Sequence, residues 1–245
     1  MLLWSISLQV DIGMCGRFLT RWTWPELWAL YHLDGPLPDK TLTPRYNIAP
    51  GQPVVAVCRE VPAGEREILP LVWGLVPAWT RKVSLEAQMF NARAETVAEK
   101  PSFRNALRRR RCLIPASGYY EWRRASSGSR QAYLVRAGSG EPLSLAGIWE
   151  KWIGANGSEI WSCAILTTKA SSYLAQVNDR MPVVLPPEVH DTWLDPPEKP
   201  ARLVLPLLQP ADGLEAVPVG PAVNDARYQG PECAEPAGDV LPVLS

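Results

Sequence analysis

Proline limits the shapes open to this chain more than any other residue: 25 of 245 residues are proline, spread along the whole sequence instead of gathered in one tract. Each proline fixes φ and removes a backbone donor, so it is excluded from helix interiors and from central strand positions. The intervals left between them suit short strands and many turns over long helices. At this length, with 47% apolar residues, the chain buries a substantial core, and one large domain or two small ones both fit.

The apolar runs follow that expectation. Residues rich in β-branched and aromatic side chains predict strands at Val54–Cys58, Glu67–Trp73, Arg111–Ala116, Gln131–Val135, Leu143–Trp149 and Ile160–Thr167. They are separated by turn clusters such as Gly138-Ser139-Gly140 and Ala125-Ser126-Ser127-Gly128-Ser129. One helix has clear start signals, Thr23 to about Leu33: Thr23 and Glu26 have capping-box spacing and Pro25 sits in the first turn. Shorter helices are expected at Ser102–Arg109, Ser171–Val177 and Pro187–Leu194. Strands without regular helical crossovers give an α+β, mainly antiparallel β fold with a few short helices. No linker suggests a second domain, so residues 14–235 read as one unit between an extension, 1–13, and a tail, 236–245. The extension is too short and too poorly flanked for a membrane span or an export signal. It reads as a mis-assigned start preceding Met14, or as a segment that must be removed.

Five cysteines, an odd number with no C-x-x-C pair, and two histidines argue against a zinc site or a disulfide framework and fit a reducing cytoplasm. No metal and no cofactor is expected. Lysine plus arginine balances aspartate plus glutamate, 25 against 25, yet the charges are unevenly placed. Residues 81–136 hold eleven Arg and two Lys against four Glu, whereas residues 186–245 hold ten acidic and three basic residues. Arg104 and the run Arg108-Arg109-Arg110-Arg111 therefore read either as phosphate contacts or as a solvated basic face.

Cys15 directly follows Met14 in the string Met14-Cys15-Gly16-Arg17-Phe18. Once the methionine is removed, such a cysteine carries an α-amine and a thiol two carbons apart, a pair that captures aldehydes as a five-membered thiazolidine. Taken alone, Cys15 also reads as one more buried small hydrophobe. Further segments follow in order: Arg45-Tyr46-Asn47-Ile48-Ala49-Pro50-Gly51, Trp73-Gly74-Leu75-Val76-Pro77 with Asn91-Ala92-Arg93-Ala94-Glu95-Thr96, Gly118-Tyr119-Tyr120-Glu121-Trp122, and Asn178-Asp179-Arg180-Met181-Pro182. A last match is Ala222-Val223-Asn224 with Gly230-Pro231-Glu232.

With the cysteine start, these segments resemble the SRAP family (SOS response-associated peptidase fold), whose members crosslink covalently to abasic sites in single-stranded DNA. The resemblance runs from residue 14 to about 235 and implies a single compact β-rich domain with the cysteine terminus in a basic cleft. It implies catalytic roles for Cys15, Asn91 and Glu121, and phosphate or sugar contacts for Arg17, Arg93 and Arg180, with Asp179 a rival partner for Arg180. Glu121, flanked by aromatic residues, is the candidate acid/base. Asn178 stands where the family pattern has histidine, and an amide cannot shuttle a proton near neutral pH. The expected partner is abasic single-stranded DNA, with the protein a cytoplasmic monomer that joins the nucleoid on damaged DNA. Two other readings stay open: a thiol peptidase acting on its own amino terminus, and a noncovalent single-strand binder.

Overall fold

The computed structural model describes residues 15–39, 41–59, 64–81, 83, 89–124, 128–195 and 200–243. The extension 1–13, Met14 and the turn residues 125–127 lie outside the described residues. Among the described residues twelve strands are laid out in two sheets.

The first sheet is antiparallel throughout and contains β1 (Arg17–Thr20), β2 (Arg45–Ile48), β7 (Gly118–Arg124), β8 (Arg130–Ala137) and β12 (Leu214–Pro218), in the order β12-β8-β7-β1-β2. The second holds β3 (Pro53–Arg59), β4 (Arg66–Trp73), β5 (Asn91–Arg93), β6 (Arg111–Ala116), β9 (Leu143–Ile153), β10 (Glu159–Lys169) and β11 (Arg180–Pro182). Its pairings are antiparallel except where β10 runs parallel to β4 and to β5. Because β10 pairs with both β4 and β9, the strands β10-β4-β3-β6-β9 form a closed ring of ladders, which leaves those five without a free edge.

Alternation sorts the side chains into layers. Cys112 and Ile114 of β6, Cys163 and Ile165 of β10, and Val54 and Ala56 of β3 share one cluster with Phe18 of β1 and Tyr119 of β7. The intervening residues Leu113, Ala164, Leu166 and Val57 pack into a second cluster with helices on the far side. Those helices are α1 (Trp24–Tyr31), α2 (Arg104–Arg109), α3 (His190–Leu194) and α4 (Ala201–Val204). α1 starts at its expected place, with the Glu26 carboxylate accepting the Thr23 N–H and hydroxyl, both at 2.7 Å. A third, smaller cluster of Leu19, Tyr120, Leu134, Val223 and Cys233 lies on the outer face of the first sheet.

Two departures from the sequence reading matter for the site. The helix expected at Ser171–Val177 is only a 3-10 turn, Leu174–Gln176, because the chain must bend here to bring Asn178 inward before β11. The strands β1, β2, β5, β11 and β12 have no sequence run of their own, being three to five residues long and specified by the strand beside them. The expected tail is also anchored: Leu241 is buried in the main cluster and its N–H reaches the Ala216 carbonyl of β12 at 2.8 Å.

Candidate functional site

β1 carries Cys15 into the main core. Phe18 meets Trp73 edge-on, ring centroids 5.2 Å apart, and the Trp73 indole donates to the Phe90 carbonyl at 2.8 Å. That contact fixes the residue just before β5, and Asn91 then donates through Nδ2 to the Cys15 carbonyl at 2.8 Å. Gly74, at φ +143°, makes the turn that follows Trp73, its N–H reaching the Cys163 carbonyl at 2.9 Å. Gly118 opens β7 because a Cβ there would sit 2.7 Å from the Val135 carbonyl oxygen.

The β1–β7 register pairs Arg17 with Tyr120 and Phe18 with Tyr119, so Glu121, one step further along β7, lies beside the start of β1. Glu121 is 3% exposed. Burial raises its pKa to about 8, against the pull of the Trp122 backbone N–H and the Asn178 amide, with Asp179 adding to the rise. Asn178 donates through Nδ2 to Glu121 Oε2 at 3.1 Å and accepts the Arg180 backbone N–H through Oδ1 at 3.0 Å, which fixes the amide's orientation. Cys15 is wholly buried, and burial plus the Glu121 charge push its thiol well above the usual thiol range. Tyr119 is buried beside both and is likewise raised, first by burial.

Two buried acceptors in this group, Glu121 Oε1 and Asn91 Oδ1, have no hydrogen-bond partner among the described residues. Buried polar atoms left unmatched are uncommon, and a reactive role is one of the reasons for which they occur.

The structure therefore brings Cys15, Asn91, Glu121 and Asn178 together, and distributes the arginines differently. Arg17 points to the other face of the first sheet, where it donates to Asn47 Oδ1 at 2.9 Å and to the Val223 carbonyl at 2.8 Å, beneath Trp122. Asn47 in turn donates to the Val223, Asp225 and Tyr228 carbonyls, latching the Ala222-Val223-Asn224 segment in place. Arg180 is held by both oxygens of Glu95, at 2.5 and 3.0 Å, and donates to the Thr167 carbonyl at 2.7 Å; its partner is Glu95, not Asp179. Arg93 is exposed at the end of β5.

Arg104, Arg108 and Arg109 are exposed on α2, whose Ala106 and Leu107 pack into the helix-side cluster, across the second sheet from Cys15. The other half of the four-arginine run is structural. Arg110 pairs with Glu150 at 3.1 Å and lies over Trp149, while Arg111 is fully buried against Trp193. A solvated basic face describes only Arg108 and Arg109.

Sequence reasoning missed Tyr119, Glu95, Thr167 and Asn47 as members of this network, although the quoted motifs contain the first, second and last of these. His190 is buried in the helix-side layer, stacked on Tyr31, so it does not reach the cysteine. Among the described residues no three His, Cys, Asp or Glu side chains are grouped to hold a metal ion, and no helix is long and apolar enough to cross a membrane.

Comparison with known proteins gives the family. The family profile described as SOS response associated peptidase (SRAP) matches residues 14–226. The chain belongs to the SRAP family. It is 35% identical over 224 residues to the abasic site processing protein YoqW of Bacillus subtilis, covering 91% of this chain and 99% of that one. It is 32% identical over 236 residues to the abasic site processing protein HMCES of Rattus norvegicus, covering 82% of this chain and 67% of that protein. A crystal structure of a Bacteroides thetaiotaomicron protein superposes with a TM-score of 0.79 at 25% identity, covering 91% of this chain and all of the other. Residues 14–226 of this SRAP member include every one of the site side chains described above.

Proposed function

We propose that this protein captures abasic sites in single-stranded DNA through Cys15 acting as its amino-terminal residue. The observation that carries the reading is the pair of unmatched buried acceptors, Glu121 Oε1 and Asn91 Oδ1, beside a buried cysteine. A free α-ammonium on Cys15 brings the extra N–H donors that these two oxygens lack, whereas a peptide nitrogen at the same place brings one. The names of the relatives, abasic site processing proteins, support the same substrate class.

The chemistry balances with these groups alone. The amine of Cys15 adds to the aldehyde carbon of the ring-opened abasic sugar, and the carbinolamine loses its hydroxyl as water to give an imine. The thiol sulfur then adds to the carbon of the protonated imine as its proton passes to the Glu121 carboxylate, leaving the ring nitrogen with the N–H it kept and closing the thiazolidine with one water released in total. With a pKa near 8, the Glu121 carboxyl carries its proton at pH 7, so it gives that proton to the departing hydroxyl and recovers one from the thiol. Asn91 holds the Cys15 carbonyl through Nδ2, which fixes the residue that carries the amine. A peptidase would need a ready thiolate, which burial and Glu121 oppose.

The test is incubation with an oligonucleotide bearing one abasic site. A heat-stable adduct that Cys15→Ala abolishes supports the proposal; cleavage of a peptide without any adduct, or salt-sensitive retention alone, overturns it. Asn178→His addresses the proton route separately: it should give the reaction a second pH-dependent step near the usual histidine pKa of about 6.5.

A further inference from the structure

We infer that the carboxy-terminal segment from Pro236 to Leu241 is a brace for the reactive site, acting through Tyr173 as a positioning residue that keeps Asn178 on Glu121. The inference rests on the proposed role of Glu121 and extends it to a part of the chain that touches no reacting atom.

The contacts form a continuous path. The segment lies along β12, with Val219 bridged to Pro236, the Ala237 N–H on the Pro218 carbonyl and the Leu241 N–H on the Ala216 carbonyl, each of the last two at 2.8 Å. The Tyr173 hydroxyl joins three pieces at one point: it donates to the Leu241 carbonyl at 2.8 Å and accepts the Ala216 N–H at 3.2 Å. Gln176 adds a bond from Nε2 to the Pro242 carbonyl at 3.3 Å. Leu241, Leu174 and Val177 share the core cluster that contains Cys15, so the brace is packed as well as hydrogen-bonded.

From Tyr173 the path continues through the 3-10 turn. The Leu174 carbonyl accepts the N–H groups of Val177 and Asn178, at 2.9 and 3.1 Å, and Asn178 then reaches Glu121 Oε2. A turn this short has little stability of its own, so its orientation follows from what it is tied to. Tyr173 is tied on both sides, and without those ties the turn end of Asn178 is released, leaving only the Arg180 N–H to hold its amide near the carboxylate.

The brace has a signature that general loosening does not. An amide N–H on a carboxylate favours the charged form, so losing the Asn178 contact raises the Glu121 pKa further. The other groups facing Glu121 are Cys15, Tyr119 and Asp179.

The experiment follows the Glu121 carboxyl by carbon NMR in the full chain, with the signal identified by its disappearance in Glu121→Gln. Tyr173→Phe should move the Glu121 midpoint upward by roughly half to one pH unit, the worth of one such hydrogen bond. Leu241→Ala should shift it in the same direction, and it stands in if the Tyr173 variant fails to fold. Leu208→Ala, buried in the helix-side cluster, should lower stability without moving the midpoint. Affinity for an undamaged single strand should remain within twofold in Tyr173→Phe. An unmoved midpoint in both brace variants, or an equal shift in Leu208→Ala, overturns the brace. Loss of adduct formation by the unaltered protein would instead overturn the reading of Glu121 as an acid for DNA capture, and the two failures are read in separate assays.

Discussion

Arg111 and Glu121 are both ionisable side chains taken almost wholly out of water, and they are treated in opposite ways. Arg111 donates through Nε to the Trp193 carbonyl at 2.5 Å and through Nη1 to the Leu107 carbonyl at 3.1 Å, with its guanidinium over the Trp193 ring. Burial lowers its pKa to about 10, far enough above neutrality that it stays charged. Glu121 has one oxygen matched by Asn178 and one left unmatched among the described residues, with a pKa moved to about 8, into the working range. Arg111 is satisfied and inert, so it pins α2 and α3 to β6. Glu121 is left incomplete, as the proton exchange proposed for it requires.

The largest separation between the two should come from Glu121→Gln. Adduct formation should slow by roughly 10²–10⁴-fold, the usual reach of a general acid, while folding is retained. The same variant tests linkage. Glu121 is raised in the folded state, so between about pH 4.5 and 8 the unfolded chain loses its proton first and stability falls as pH rises. Glu121→Gln should flatten that slope in a series of denaturant melts. A rate unchanged by the substitution would place Glu121 with Arg111 as a structural charge.

Arg111→Ala should do the reverse. It strands two carbonyls and opens a cavity, so a loss of about 3–5 kcal/mol in unfolding free energy is expected, with adduct formation per folded molecule unchanged. A chemical defect as large as the stability defect would erase the distinction between the regions.

A smaller effect comes from His190, which shares the helix-side layer with Arg111. Burial depresses its pKa, while its Nε2–H donates to the Leu185 carbonyl at 3.2 Å. A histidine depressed in the folded state contributes stability above its usual pKa of about 6.5 that is lost as pH falls below it. His190→Gln should reduce the acid sensitivity of the fold below pH 6.5 and leave the adduct's pH profile alone.

The smallest effect is expected at the exposed half of the arginine run. If Arg108 and Arg109 meet phosphates, replacing both with Gln should flatten the log–log salt dependence of single-strand binding by about 0.7 per lost contact. An unchanged slope would assign them to solvent.

How much of this was legible in the sequence follows the same contrast. The strands β3, β4, β6, β8, β9 and β10 announce themselves because each carries its own apolar run. β5 and β11 do not, because Asn91–Arg93 and Arg180–Pro182 are extended only through pairing with β10. The burial of Glu121 is readable from Tyr119, Tyr120 and Trp122 around it, and Cys15 from its place behind a methionine. Arg111 is not readable, since four consecutive arginines look like one surface until α3 is seen to cover the last of them. Nor is the engagement of Arg180 by Glu95, two residues 85 apart in sequence.

The central claim is that Cys15 reacts through a free amine and a thiol together. Intact mass of the product formed with an abasic oligonucleotide tests it most directly, comparing protein that begins at Cys15 with protein that retains residues 1–14. The account predicts a heat-stable adduct equal to protein plus DNA minus one water from the first form and no adduct from the second. Equal yields from the two forms would contradict it.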